Sequence, residues 1–324
     1  MAETSSTFDE NSFSGLLHAG THGTFMRLPR MQPKAKKLKE AKINAAVLGF
    51  PWDAMCISRT GTNLGPRAIR EASDQFSFYN ASTGMDLNEH YRMADCGDVP
   101  VVPGAAITTI DRAQALVSEI LDGEAMPITI GGDHSITIAC VRAFAKKYKK
   151  PGLVLVDMHF DTALDVGGEP LSHCCPITRA VDAGFDPKRI AIVGTGGWMN
   201  PKGEYAYVKE QGITLFTVED IWSEGAKAIA KKAAAVASKG SDGVYLTYDI
   251  DSIDAAYAPG TGVPAPGGMN SREALTMAYE LGRMGLAGMD LVEVSPPWDH
   301  DGITSRLAVR LILEMLAGNA SSKK

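Results

Sequence analysis

From about Lys42 almost to its end, this chain alternates short apolar runs with amphipathic stretches of helix length. That rhythm constrains the fold more than any other feature. The runs Ala45–Phe50, Pro127–Ile130, Leu153–Asp157, Ile190–Val193, Ile213–Thr217, Val244–Asp249 and Ala287–Val294 read as strands. Most are apolar without alternation, as strands covered on both faces are. Between them, Pro66–Phe78, Asp111–Leu121, Ser135–Lys147, Pro176–Ala183, Val218–Ala237, Ser271–Gly285 and Ile303–Gly318 read as helices. Thr217 ahead of Glu219 and Asp220, and Asn270 or Ser271 ahead of Glu273, supply helix starts. Strands alternating with helices predict a mostly parallel sheet with helices on both faces. Patterning leaves an open sheet and a closed barrel both open.

Residues 1–12, acidic and Ser-rich, read as a flexible tail and carry no apolar secretory core. Residues 13–40 read as an N-terminal arm. The expected domain, 13–320, shows no Pro/Ser-rich divider and no fixed-period repeat. With 45% hydrophobic and 22% charged residues, global disorder is excluded. The net charge of −6 argues against a general nucleic-acid binder. No apolar run reaches the roughly 20 residues of a membrane span. The cysteines Cys56, Cys96, Cys140, Cys174 and Cys175 are odd in number and hold no C-x-x-C pair. They predict neither a disulfide framework nor a structural zinc site, and a cytoplasmic location is expected.

Ligands of open α/β sheets bind beyond the carboxyl ends of the strands. Three such ends here carry polar clusters: Gly131-Gly132-Asp133-His134-Ser135, Asp157-Met158-His159-Phe160-Asp161 and Asp249-Ile250-Asp251-Ser252-Ile253-Asp254. In an extended chain Asp157, His159 and Asp161 share a face, as do Asp249 and Asp251. With His134 they form a set of two imidazoles and four carboxylates. Such an oxygen-rich set suits Mn²⁺ or a similar divalent ion and is too large for one. Two ions about 3.5–4 Å apart could share a bridging hydroxide. Each cluster alone also fits a capped turn, and Asp133 and Asp254 suit Asx-turns. Three together make coincidence the weaker reading.

G-G-D-H-S, D-x-H-x-D and D-I-D-x-x-D in this order resemble the arginase/agmatinase (ureohydrolase) family. The resemblance covers nearly the whole chain from about Phe13. It includes Thr24-Phe25-Met26-Arg27-Leu28-Pro29, Gly49-Phe50-Pro51-Trp52-Asp53, Gly65-Pro66-Arg67-Ala68-Ile69-Arg70, Asp95-Cys96-Gly97-Asp98-Val99-Pro100, Ala258-Pro259-Gly260-Thr261-Gly262 and Glu293-Val294-Ser295-Pro296-Pro297. It lies nearer the agmatinase and guanidino-acid hydrolase branch than the arginases. It implies a three-layer α/β/α fold on a parallel sheet of about eight strands, two Mn²⁺ ions, and a homo-oligomer, trimer or hexamer. By resemblance His134, Asp157, Asp161 and Asp249 serve one metal, and Asp157, His159, Asp249 and Asp251 the other. Glu293 matches the acid that holds the guanidinium group. His173 matches a histidine taken to relay protons. The remaining histidines, His18, His22, His90 and His300, read as structural or surface.

The implied chemistry is cleavage of a guanidino C–N bond to give urea and an amine. Asp161 would orient the nucleophile, Glu293 would pair with the planar cation, and His173 would protonate the leaving amine. Between Asp161 and Pro176 no Asn stands where arginases hold the α-amino acid end of arginine, so arginine is disfavoured. No Lys or Arg stands there either, so a guanidino acid would need a cation from elsewhere, such as Arg59 or the arm. Cys174-Cys175 replaces the Gly-Thr of relatives, and Val193-Gly194-Thr195-Gly196-Gly197-Trp198 lacks their arginine. These departures are read either as loop repacking or as a change of substrate to guanidine or a biguanide. The thiols raise Ni²⁺ as a second metal. A third reading is a non-catalytic subunit of a mixed oligomer with a paralogue, against which the complete ligand motifs stand. Trp52, Trp198 and Trp298 are read as pocket or core.

Overall fold

The computed structural model describes residues 23–322; the expected tail and the arm up to residue 22, with His18 and His22, lie outside them. Among the described residues ten strands form: β1 Ala45–Phe50, β2 Tyr79–Asn80, β3 Met85–Asp86, β4 Met93–Asp98, β5 Met126–Gly131, β6 Pro151–Val156, β7 Ile190–Thr195, β8 Thr214–Thr217, β9 Gly243–Asp249 and β10 Leu286–Val292. β2 and β3 pair as a small antiparallel hairpin. The other eight make one parallel sheet in the order β4-β1-β5-β10-β9-β6-β7-β8. The sheet is open, which decides against the barrel.

The helices are α1 Ala35–Glu40, α2 Gly65–Ser73, α3 Ala106–Asp122, α4 Ile136–Lys147, α5 Pro176–Ala183, α6 Lys202–Gln211, α7 Val218–Glu224, α8 Ala226–Ser238, α9 Ser271–Gly282 and α10 Ile303–Ser321. Alternate strand residues enter separate apolar layers. Val47, Ile130, Val156 and Leu246 pack with α2, α8, α9 and α10. Leu48, Leu155, Ile192 and Val292 pack with α3, α4 and α5. Two covered faces explain why these strands read as unbroken apolar runs. The result is the three-layer α/β/α arrangement.

Three expectations need correction. The eighth strand, β4, gave no apolar run. It is an edge strand whose sequence Met-Ala-Asp-Cys-Gly-Asp is held by polar contacts. Arg70 Nε and Nη2 donate to the Asp95 carboxylate at 2.8 and 3.0 Å, and Pro29 to Met31 bond the free edge. The expected helix Val218–Ala237 is two helices broken at Gly225, whose φ of 87° and ψ of 144° leave helical space. Helix α6 was not anticipated. The two expected caps do form: Thr217 with Asp220 and Asn270 with Glu273 make reciprocal capping boxes.

Candidate metal centre and pocket

The carboxyl ends of β5, β10, β9 and β6 lie side by side at the middle of the sheet. Parallel register sets their levels. Val156 pairs with Tyr248 and Val292 with Asp249, so Asp157 and Asp249 emerge together and Glu293 one step beyond. The Glu293 N–H donates to the Gly132 carbonyl at 2.9 Å, joining β10 to the loop after β5.

The six expected ligands converge, though not through strand alternation. The first acidic segment begins just past β6, and the second leaves β9 after Asp249. Asp157 Oδ1 accepts from the His159 N–H at 2.6 Å, and Asp249 Oδ1 from the Asp251 N–H at 2.8 Å. Residues Ile250–Ser252 form a 3-10 turn, and Asp161 has φ of 50°. Tight turns, each closed by an aspartate on the amide two residues on, therefore aim these side chains inward. Asp133 and Asp254 close turns, as expected. Asp133 accepts from the amides of Met55 and Ser135, and Asp254 from those of Ala256 and Gly267.

His134 Nδ1 faces Asp157 Oδ2 at 3.1 Å, Asp161 Oδ2 at 2.9 Å and Asp249 Oδ2 at 3.1 Å. His159 Nδ1 faces Asp157 Oδ1 at 3.3 Å and Asp251 Oδ2 at 3.1 Å. Among the described residues two groups of ligand atoms come close enough to hold an ion: His134, Asp157 and Asp249, and Asp157, His159 and Asp251. Asp157 belongs to both. Neither group includes a cysteine. His134 Nδ1, Asp157 Oδ2, Asp251 Oδ1 and Glu293 Oε2 are buried without hydrogen-bond partners. Polar atoms buried without partners beside one another call for a cation to satisfy them.

Electrostatics tell the same story. Burial opposes charge on His134 and His159, but the surrounding aspartates outweigh it and push both imidazoles up. Burial also raises Asp249, and repulsion from Asp251 and Asp157 adds to it. Asp251 rises to about 6 by burial, against the pull of His159. Asp157 alone is held low, because the two histidines that face it outweigh burial. Without a cation, protons must stand in for one.

Glu293 sits beside this cluster with φ of 65°, a left-handed strain for a side chain of its size. Its Oε1 accepts from the His134 N–H at 2.8 Å and from His173 Nδ1 at 2.9 Å. His173 Nε2 accepts from the Ile57 N–H at 3.2 Å, so the Nδ1–H tautomer satisfies both contacts. A cavity of about 1010 Å³ opens over these groups. Its wall holds His159, Asp161, Asp249, Asp251, His173, Glu293 and Cys174, and further out Asp165, Glu204 and Glu210, with no Lys or Arg among the described residues. Arg59 donates to the carbonyls of Gly262 and Thr261 and lies 4.4 Å from the Trp298 ring centre. Arg59 is thus committed to loop carbonyls and an aromatic face. Trp52 is core, while Trp198 is fully exposed.

Sequence reasoning missed Glu204. It lies in α6, its Oε2 accepts from the Thr162 N–H at 2.9 Å, and burial with Asp161 nearby lifts it to about 7. Nothing local in Lys202-Gly203-Glu204-Tyr205 marks it; the fold brings α6 beside the loop after β6.

Comparison with known proteins gives a consistent picture. A family model described as the arginase family matches residues 43–318. A guanidino acid hydrolase, mitochondrial, of Homo sapiens is 38% identical over 85% of this chain and 78% of its own. A guanidinobutyrase of Pseudomonas aeruginosa is 36% identical over 92% of each chain. The solved proclavaminate amidino hydrolase of Streptomyces clavuligerus superposes with a TM-score of 0.86 at 33% identity, over 95% of this chain and 99% of that one.

Proposed function

Since the chain belongs to the arginase family, we propose that it is a binuclear-metal amidinohydrolase that cleaves a guanidino C–N bond to urea and an amine. The observation that carries this reading is the convergence of His134, Asp157, His159, Asp161, Asp249 and Asp251 at four adjacent strand ends, with Glu293 beside them. The orphaned lone pairs fit two divalent cations, and the oxygen-rich donors favour Mn²⁺, with Ni²⁺ the runner-up. We assign His134, Asp157, Asp161 and Asp249 to one ion and Asp157, His159, Asp249 and Asp251 to the other. Such a pair, when bound, supplies the lowered pKa that makes water a nucleophile at neutral pH.

The rest of the work falls to the chain. Glu293 Oε2, buried and unpartnered, is free to take an N–H of the substrate guanidinium, while His134 N–H and His173 fix its other oxygen. Asp161 would orient the attacking water by accepting a hydrogen bond from it. His173 holds a proton at Nδ1, on Glu293, next to where the amine must leave. The acidic outer wall, without Lys or Arg among the described residues, favours a cationic or neutral tail over a carboxylate, so the reading is agmatinase-like. We further propose a cytoplasmic homo-oligomer, in keeping with five unpaired cysteines and an exposed Trp198. Among the described residues no helix is long and apolar enough to cross a membrane.

The test is urea release by protein loaded with Mn²⁺ or Ni²⁺ against agmatine, arginine, guanidinobutyrate, guanidinopropionate, guanidine and a biguanide, with the amine product followed. Agmatine is expected to react best. Preference for guanidinobutyrate would overturn the tail assignment and keep the reaction. Turnover of guanidine or the biguanide alone would replace the substrate class. Silence with metal bound would point to a substrate outside the panel or a missing partner subunit, and silence with no metal bound would overturn the reaction and leave the non-catalytic subunit.

A further inference from the structure

Beneath His134, between the central strands and α4, runs a buried polar chain that the apolar layer does not require. Asp290 lies in β10 between the core residues Met289 and Leu291 and is 1% exposed. Register sets it opposite Thr247 of β9 and Thr129 of β5. Its Oδ2 accepts from Thr137 Oγ1 at 2.9 Å and from the Tyr245 hydroxyl at 2.9 Å. Thr137 Oγ1 lies 3.3 Å from Thr247 Oγ1, which lies 2.9 Å from His134 Nε2.

An ionised carboxylate only accepts, so it fixes the direction of everything that leads to it. Thr137 and Tyr245 point their protons at Asp290. The Thr137 oxygen is then left to accept from Thr247. Thr247 therefore offers a lone pair, not a proton, to His134 Nε2. That ring nitrogen must carry the hydrogen, which leaves the Nδ1 lone pair facing Asp157, Asp161 and Asp249. A neutral imidazole ligates only through the nitrogen without a proton.

We propose that Asp290 is a positioning residue that sets the tautomer and ring orientation of His134 through Thr137 and Thr247. The inference rests on the proposed function only in taking a divalent cation as what Nδ1 faces. An isolated buried carboxylate in an apolar layer is costly, and one of its donors here, Thr137, leads through Thr247 to a ligand nitrogen.

The experiment measures Mn²⁺ affinity by calorimetry for the full chain and for Asp290→Asn, Thr247→Val, the double variant and Thr247→Ser, with the melting temperature of each metal-free protein. Asparagine can donate, so it no longer fixes the chain's direction. Asp290→Asn and Thr247→Val should each weaken Mn²⁺ binding about 10–100-fold. The double variant should be no worse than the weaker single, because both break one chain. Thr247→Ser, which keeps the hydroxyl, should bind within about twofold of the parent. Unchanged Mn²⁺ affinity in Asp290→Asn would overturn the proposal, however far that variant's melting temperature falls; so would losses that multiply. Tight Mn²⁺ binding lost in the variants, with no urea from any guanidine, would sink the proposed function and leave this inference standing. Failure of the parent protein to bind Mn²⁺ would overturn both.

Discussion

Asp249 divides its two oxygens between jobs. Oδ1 closes the turn on Asp251, and Oδ2 faces His134 at 3.1 Å. Asp249→Asn keeps the shape but halves the acceptor capacity and removes a charge. Urea release should fall at least about a hundredfold, since losing a ligand costs more than losing a residue that merely orients one. Metal analysis should find one ion fewer per chain; two ions and unchanged turnover would remove Asp249 from the site. Glu204 gives a test by pH. Its folded value near 7 exceeds the ordinary carboxylate value, so the folded state holds this proton more tightly than the unfolded one. The stability it contributes is present at acid pH and is lost as pH rises from about 4.5 through 7. Glu204→Gln does not titrate. Metal-free protein should match the parent in melting temperature at pH 4.5 and exceed it by about 2 °C at pH 8. No divergence with pH would show that Glu204 titrates normally.

Elements respond to different rules. The turn Thr217–Asp220 starts α7 with both side chains on each other's backbone amides. Thr217→Ala should cost about 1 kcal/mol, read as a small drop in melting temperature with turnover intact. Gly152 marks a closer contact. A methyl group there would strike the Ala237 carbonyl, so β6 and α8 approach as only glycine allows. Gly152→Ala should destabilise by about 1–3 kcal/mol through overpacking, and a neutral effect would show that α8 can shift outward. The elements that escaped sequence reading share a cause. β4 needs no apolar run because it has a neighbouring strand on only one side and is tied down by Arg70. Helix α6 buries only Val208 among its ten residues, so it shows no amphipathic stripe.

At the scale of the molecule, the central strands end in a ring of carboxylates that repel one another unless a cation or protons intervene. Removing divalent ions with a chelator should leave the secondary structure in place, because two buried apolar layers, one on each face, hold the sheet without any ion. It should still lower the melting temperature. At a hundred times the dissociation constant each bound ion adds about 2.7 kcal/mol. Circular dichroism with and without Mn²⁺ reads both effects, and equal melting curves would deny a metal centre.

The sequence by itself determined the parallel α/β architecture, the residue types of the site and their order along the chain. Strand apolarity, turn-closing aspartates and capping threonines act over a few residues, so they are written in the local sequence. Asp157, His159 and Asp161 could be named from spacing, although turns rather than an extended strand bring them together. Only the tertiary structure decided that β5, β6, β9 and β10 become four neighbours in the order β5-β10-β9-β6. Glu204 beside Thr162, Asp290 opposite Thr247, and Arg59 turned away onto Trp298 follow from that order and from loop packing. Such adjacency is settled by burial summed over segments far apart in the chain, and no short window of sequence contains it.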